Sequence, residues 1–393
     1  MPFRILSLDG GGIRGVVTAQ ILSLIERQID RPLNEYFDLI AGTSTGSILA
    51  AAIATGIKSE KIVEFYRENS SLIFPYQSHF SFKRIKLIFK HGISAPKYSD
   101  RGLTQVLKSV FGDKTIFDIP SPLLLIVAYD TIERKPIVFK SWRQDKGYGN
   151  IPLWETCVSS ASAPTYFPAH KLEKIINGQV YKASIDNIYL DRDASCTNNI
   201  YNNALVKIIS GPGTGQTRKI KKYIGRHRKA ILDQAWKQIP THNSIYSIKT
   251  IYSAIDGGVT ANNPSACAVA EALRLGHPLE NISVLSIGTG DRTRIIPFEQ
   301  AHHWGLIQWA QPLIGVALDG SADVCEYITD QMVRSRLLRL QFKLDRELTG
   351  KRLSDDIDDV SKENINNLIE AAEVYLRQPN VEKSLKEFLE KNK

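Results

Sequence analysis

The stretch from Asp38 to Ala54 constrains the fold more than any other part of this sequence. A short apolar run ends in Gly-Thr-Ser-Thr-Gly, and a run of alanine, isoleucine and leucine follows. This order predicts a buried strand, a tight turn and a helix, an arrangement that forces the hydroxyl of Ser44 clear of the backbone. Gly42 and Gly46 are expected where strand and helix approach too closely for side chains. The helix N-terminus behind the serine would favour an oxyanion.

A glycine-rich loop follows the first predicted strand. The strand Phe3–Asp9 leads into Gly10-Gly11-Gly12-Ile-Arg14-Gly, and a helical stretch comes next. Consecutive glycines let backbone N–H groups turn towards an anion, so the loop suits an oxyanion hole or a phosphate cradle. Its spacing also fits the dinucleotide fingerprint G-x-G-x-x-G. That alternative needs an acidic residue at the end of a second strand, whereas Asp30 follows a predicted helix.

A serine nucleophile requires a base within hydrogen-bond reach. Asp256 ends a short apolar stretch and is followed by two glycines, a pattern also typical of a simple turn. Of the eight histidines, only the adjacent pair His302 and His303 is a serious alternative base. The sequence favours a dyad of Ser44 and Asp256.

These three motifs together resemble the patatin-like phospholipase family. The resemblance rests on the glycine loop, the serine pentapeptide and Asp-Gly-Gly, which occur in the family's order, and it covers about residues 1–175 and 250–360. Three further stretches match: Ser162–Pro168, Asn262–Pro264 and Ser286–Gly290.

The resemblance implies roles for individual residues. Ser44 would be the nucleophile and Asp256 its base. The loop Gly10–Gly12 would form the oxyanion hole, with the N–H groups of Gly11 and Gly12 as donors and Arg14 as support. No metal or other cofactor is implied, and the expected substrate is a membrane glycerolipid met at a peripheral membrane contact.

The expected fold is α/β, with three layers (α/β/α) around a mostly parallel central sheet that a small all-β insertion interrupts. The predicted strands are Ile5–Leu8, Leu39–Gly42, Leu123–Ala128 and Val284–Ile287. The predicted helices are Val16–Gln28, Ser47–Thr55, Ser59–Glu68, Ser99–Val110, Ala266–Leu275 and Lys362–Leu376. Residues 1–177 and 249–393 would form the two parts of the α/β domain.

Residues 178–248 differ from the rest of the chain because short strand-like runs alternate with turn residues. They would form the inserted all-β module. Eleven Lys/Arg and four Asp give this segment a net charge of +7, most of the chain's +9. It resembles a small β module of phage-tail and related surface proteins. The glycine-rich stretch Ser210–Gly215 predicts a hairpin turn rather than a phosphate loop, because no Gly-Lys-Ser/Thr follows. The basic run 218–229 could bind an anionic partner, with lipid favoured over nucleic acid, or could form solvated strand faces.

Composition supports an ordinary globular chain. No apolar run is long enough to span a bilayer, and no leader pattern precedes the first strand, so a cytoplasmic and possibly membrane-peripheral protein is expected. Aromatic and aliphatic residues interleave with cations over Ile73–Tyr76 and His79–Lys90, as in an interfacial segment or a packed one with lysines facing water. The four cysteines suggest no metal site or disulfide framework. The carboxylates of 355–359 could suggest a metal site, but surface charge beside a helix is favoured.

The sequence therefore predicts a lipid acyl hydrolase of the phospholipase A type, acting through a serine–aspartate dyad and an acyl-enzyme. The alternative is a regulated effector or binding module, in which the basic insert recognises an anionic partner and controls access to the serine.

Overall fold

The computed structural model describes residues 2–76, 95–143, 147–309 and 312–392. The segment His79–Lys90 lies outside these residues. The strands are β1 (Phe3–Leu8), β2 (Leu39–Thr43), β3 (Leu123–Asp130), β4 (Lys135–Lys140), β5 (His170–Gln179), β6 (Lys182–Ser184), β7 (Asn187–Tyr189), β8 (Leu205–Ser210), β9 (Thr217–Ile224), β10 (Lys229–Leu232), β11 (Ile245–Asp256), β12 (Ile282–Ile287) and β13 (Leu337–Leu340). The helices are α1 (Gly15–Ile29), α2 (Leu33–Tyr36), α3 (Thr45–Ala54), α4 (Ser59–Ile73), α5 (Arg101–Phe111), α6 (Leu153–Ala161), α7 (Gly258–Ala261), α8 (Ser265–Arg274), α9 (Phe298–Ala301), α10 (Leu306–Trp309), α11 (Pro312–Val333), α12 (Lys362–Leu376) and α13 (Pro379–Lys391).

The central sheet is parallel through five neighbouring strands in the order β13-β12-β1-β2-β3. These strands are short apolar runs, and β2 and β12 are buried along their whole length. Such runs are typical of parallel strands covered by helices on both faces. All four predicted strands are present, and the mostly parallel central sheet is confirmed.

Side chains on alternate positions of β1 separate the two faces of the sheet. Leu6 packs into a cluster with helices α1, α3, α4 and α12, whereas its neighbour Ile5 packs on the opposite face with α8. Successive residues of a strand point to opposite faces, so both faces carry a helical layer. The three-layer α/β/α architecture is thereby confirmed.

The strands from β5 to β11 are antiparallel and continue the sheet beyond β3. Residues between 180 and 248 have their own apolar cluster, with Ile188, Tyr223 and Tyr246 fully buried in it. The turn 211–216 joins β8 to β9 as a hairpin, as predicted. Both β5 and β11 cross the expected domain boundaries at 178 and 248, and these boundaries stay a prediction.

Strand β3 aligns two other strands end to end along one of its sides. Thr43, the last residue of β2, pairs with Val127, and Asp256, the last residue of β11, pairs with the next residue, Ala128. Both Val127 and Ala128 also pair with β4 on their other side. The turn after β2 therefore meets the end of β11.

Among the described residues, no helix has the length and apolar character needed to cross a membrane.

Candidate active site

Ser44 lies in a strained turn between β2 and α3. Its backbone has φ 54° and ψ −124°, a conformation that costs a non-glycine residue about 1–3 kcal/mol. A Cβ on Gly42 would lie 2.2 Å from the carbonyl oxygen of Gly46, and one on Gly46 would lie 2.1 Å from that of Leu8. The prediction that both glycines permit close strand–helix approach is confirmed.

The end-to-end strands bring the serine to the predicted aspartate. Ser44 Oγ donates a hydrogen bond to Asp256 Oδ2 at 2.7 Å, although 212 residues separate them in the chain. The other carboxylate oxygen, Oδ1, accepts the N–H of Gly258 at 2.8 Å. Asp256 is 2% exposed and Ser44 is 9% exposed. The carboxylate is thus fixed on one side and faces the hydroxyl on the other.

Burial determines the protonation behaviour of Asp256. Desolvation raises the pKa of this carboxyl from 3.8 to about 6, against the smaller opposing effects of the hydrogen bonds from Ser44 and Gly258. A carboxyl with this pKa is mostly ionised at neutral pH and is a stronger base than an exposed one. It can accept a proton from the serine.

The glycine loop lies beside the serine and offers two backbone donors. The N–H of Gly10 donates to the carbonyl of Asn262 at 3.0 Å. Gly10 therefore fixes the shape of the loop and has no free donor for an oxyanion. Within the described ranges, the N–H groups of Gly11 and Gly12 have no protein acceptor. Gly12 has φ +60°, and a Cβ there would lie 2.2 Å from the carbonyl oxygen of Ile357.

Arg14 supports this loop from behind. Its Nη1 donates to the carbonyl of Gly290 at 3.1 Å and its Nε to that of Gly11 at 3.4 Å. Arg14 is 3% exposed, and burial lowers the pKa of its guanidinium to about 10, so the group is charged at neutral pH.

Ser160, in helix α6, fixes the turn that carries Ser44, and the sequence did not predict this role. Its Oγ accepts the backbone N–H of Ser44 at 2.8 Å and donates to the carbonyl of Val127 at 2.5 Å. Because this N–H is engaged, it is not an oxyanion donor. A serine within a helical run of small residues carries no sequence signal for such a role.

A segment before α12 crosses the outside of the glycine loop. The carbonyl of Ile357 accepts the N–H of Ile13 at 2.8 Å. The next residue, Asp358, forms a buried ion pair with Lys97 and accepts the hydroxyl of Tyr98 at 2.5 Å. The prediction of surface charge is therefore wrong for Asp358, because a lysine distant in sequence provides its partner. No group of metal-ligating side chains is found among the residues that the structure describes.

An apolar pocket opens in front of Ser44. About 590 Å³ of empty space, open solvent included, lies between α3, α4, α5 and the loop after α6. Its apolar lining includes Ile48, Phe65, Ile73, Phe74, Leu103 and Phe167. The lining offers an apolar chain a site that begins at the serine hydroxyl.

The alternative interpretations of the motifs find no support in the geometry. His302 and His303 are exposed, and their rings contact each other and Phe298. Asp30 ends α1 in a left-handed conformation rather than following a strand. The glycine loop therefore lacks the acidic residue that a dinucleotide site requires.

Comparisons with known proteins agree with these features. Residues 6–191 match the family model for "Patatin-like phospholipase". Patatin-like protein 2 of Oryza sativa subsp. indica is 26% identical over 412 residues, covering 95% of this chain and 83% of that protein. Patatin-like protein 2 of Arabidopsis thaliana is 26% identical over 413 residues, with the same coverage.

The crystal structure of VipD from Legionella pneumophila overlaps 95% of this chain and 67% of its own, at 8% identity and a TM-score of 0.31. At that TM-score the likeness supports no further conclusion. The family model and the plant proteins carry the assignment: residues 6–191 form a patatin-like phospholipase domain, and the plant patatin-like proteins are homologues of this chain.

Proposed function

We propose that the protein hydrolyses carboxylic esters of membrane glycerolipids through Ser44 and Asp256. The family match indicates a lipid ester hydrolase. The observation that carries the finer assignment is the 2.7 Å hydrogen bond from Ser44 Oγ to Asp256 Oδ2 beside an apolar pocket. An acyl chain in this pocket would place its ester carbonyl at the hydroxyl.

The reaction begins when the Asp256 carboxylate accepts the Ser44 proton and Oγ attacks the ester carbonyl carbon. The carbonyl oxygen becomes an oxyanion, which the N–H groups of Gly11 and Gly12 stabilise. One such donor typically contributes about 3 kcal/mol to the transition state. The tetrahedral intermediate then expels the glycerolipid alkoxide, which takes the proton from Asp256 and leaves an acyl-enzyme.

Water completes the cycle by the same route. Asp256 accepts a proton from the water, whose oxygen attacks the acyl carbonyl. The second intermediate expels Ser44 Oγ, which recovers the proton from Asp256, and the fatty acid leaves. Each proton has a donor and an acceptor among these groups, so the scheme needs no metal.

The test uses a fluorophosphonate probe, which labels activated serines covalently, together with fatty-acid release from a mixed lipid panel. Ser44→Ala should lose both labelling and hydrolysis while keeping the far-UV circular dichroism of the unmodified chain. Ser70→Ala is the matched control, because Ser70 lines the same pocket. Hydrolysis by Ser44→Ala would contradict the proposal.

Two further variants test the base. Asp256→Asn should lose nearly as much activity as the serine variant, because the amide cannot accept the proton. The double variant His302→Ala/His303→Ala should stay active, and its inactivity would favour the histidine alternative. The comparisons do not support the other candidate function, an effector in which the insert controls access to the serine.

A further inference from the structure

The segment between β12 and α11 exposes several large apolar side chains. Among the described residues, the three most exposed large apolar side chains are Leu306 at 92%, Ile307 at 89% and Ile295 at 80%. Phe298 is 72% exposed nearby in sequence, and soluble domains rarely leave such side chains grouped in water. Their grouping indicates a surface that is covered in use.

Helix α11 extends this surface with an outward-facing apolar stripe. Leu313, Val316, Val324, Tyr327 and Ile328 are all exposed. At about 100° per residue they lie within an arc of about 120°, the width of the apolar face that an amphipathic helix buries. We name the exposed side chains of both segments the apolar face: Ile295, Phe298, Leu306, Ile307, Leu313, Val316, Val324, Tyr327 and Ile328.

The inner side of α11 is joined to the turn that holds the dyad. Ser321 Oγ donates to the carbonyl of Gly258 at 2.6 Å. Leu318 is buried, and a Cβ on Gly258 would lie 2.4 Å from its Cδ2. Gly258 is the residue whose N–H fixes Asp256. The helix that exposes the stripe thus packs directly behind the base.

Two residues of the apolar face line a cleft that adjoins the pocket of Ser44. A second cleft is lined by Ile295, Trp304 and Val316, together with the charged residues Arg292, Arg294, Asp319, Asp355 and Asp356. It shares Tyr166 and Ile357 with the pocket of Ser44. An apolar molecule leaving the pocket at these two shared residues would meet the apolar face.

The charges around the apolar face disfavour an anionic surface. Arg292 and Arg294 are paired with Asp319 and Asp356, each at 3.7 Å. Helix α11 has four carboxylates and no lysine or arginine. A bilayer with zwitterionic head groups would cover the apolar side chains without this repulsion. The half-buried Trp304 and Trp309 would suit the head-group level, where tryptophan is enriched.

We propose that the apolar face docks the protein onto a zwitterionic lipid surface and delivers lipid from that surface to the pocket of Ser44. The docking role rests on the proposed lipid hydrolase function. It is distinct from the basic run 218–229, which would require anionic lipid.

The experiment measures sedimentation of the full chain with phosphatidylcholine vesicles, in a Ser44→Ala background that prevents turnover. Adding Leu306→Asp and Ile307→Asp should lower the partition coefficient at least about tenfold, because two side chains no longer enter the bilayer. The matched control adds Tyr181→Asp and Ile185→Asp, which are 70% and 61% exposed in the insert, and should bind like the parent. Raising salt to 0.5 M should change binding less than about twofold.

Two readouts separate the docking role from the hydrolase function. With Ser44 restored, Leu306→Asp/Ile307→Asp should hydrolyse a soluble short-chain ester at the unmodified rate and vesicle lipid at least about tenfold more slowly. Docking would be overturned if Leu306→Asp/Ile307→Asp bound vesicles like the parent, or if the Tyr181→Asp/Ile185→Asp control lost as much vesicle binding. It would also be overturned if the parent sedimented as a dimer without vesicles and Leu306→Asp/Ile307→Asp dissociated that dimer while vesicle binding stayed the same. Absence of soluble-ester hydrolysis in the unmodified chain would instead overturn the hydrolase proposal, and vesicle binding would still report on the face.

Discussion

The buried carboxylate of Asp256 should make the protein less stable as pH rises. Burial raises its pKa in the folded chain from 3.8 to about 6. The folded state therefore holds a proton between these pH values that the unfolded state has released, so the free energy of unfolding falls as pH rises through about 6. A shift of about two pKa units corresponds to about 3 kcal/mol, and about 2 kcal/mol of this is lost between pH 4.5 and 8.

Substitution of Asp256 by asparagine isolates this effect. The asparagine side chain cannot titrate, so the free energy of unfolding of the unmodified chain minus that of Asp256→Asn should fall by about 2 kcal/mol from pH 4.5 to 8. Urea unfolding followed by tryptophan fluorescence at several pH values measures it. Asp9, whose pKa burial also raises to about 6, is present in both chains and cancels.

Ser44→Ala is the control, because it keeps the carboxyl. The serine hydrogen bond lowers the pKa of Asp256, so its removal should enlarge the fall in stability and extend it to higher pH. A difference between the unmodified chain and Asp256→Asn that does not vary with pH would refute the reasoning, since it would mean that burial does not perturb this carboxyl.

The remaining predictions concern activity and support of the glycine loop. The kcat/KM for a soluble ester should fall about tenfold per pH unit below about 6, because a protonated Asp256 cannot act as base. A kcat/KM that stays constant from pH 7 to 5 would contradict this. Gly12→Ala should lower kcat about 10²–10³-fold by displacing the oxyanion donors, whereas Gly112→Ala, at φ +55° with nothing within 4 Å, should leave kcat unchanged. Lys97→Met should lower the urea-derived free energy of unfolding by about 3–5 kcal/mol by leaving Asp358 buried and unpaired, and Lys97→Met/Asp358→Leu should recover part of the loss.

Apolar runs and helical periodicity in the sequence predicted the central strands and several helices well. The helix Lys362–Leu376 has the predicted bounds, and α3 begins at Thr45 directly after the serine. Strands β1, β2, β3 and β12 each extend the predicted run by one or two residues. These elements have uninterrupted apolar runs or a clear helical period, so the sequence contains their signal.

Helix α11 was missed because apolar residues occur on both its buried and exposed sides, which hides its period. Ser160 and the pair of Lys97 and Asp358 were missed for another reason. Their roles depend on partners 116 and 261 residues away, and one sequence does not show which distant residues meet.

The distance along the chain between Ser44 and Asp256 has a consequence for synthesis. Ser44 and α3 are made early, whereas the proposed base, Asp256, is made 212 residues later, at the end of β11. At ordinary translation rates this interval lasts roughly 10–40 s. A nascent or truncated chain that ends before Asp256 therefore has the serine without its proposed base. Under the proposed mechanism, ester hydrolysis would therefore begin only after β11 has joined the sheet.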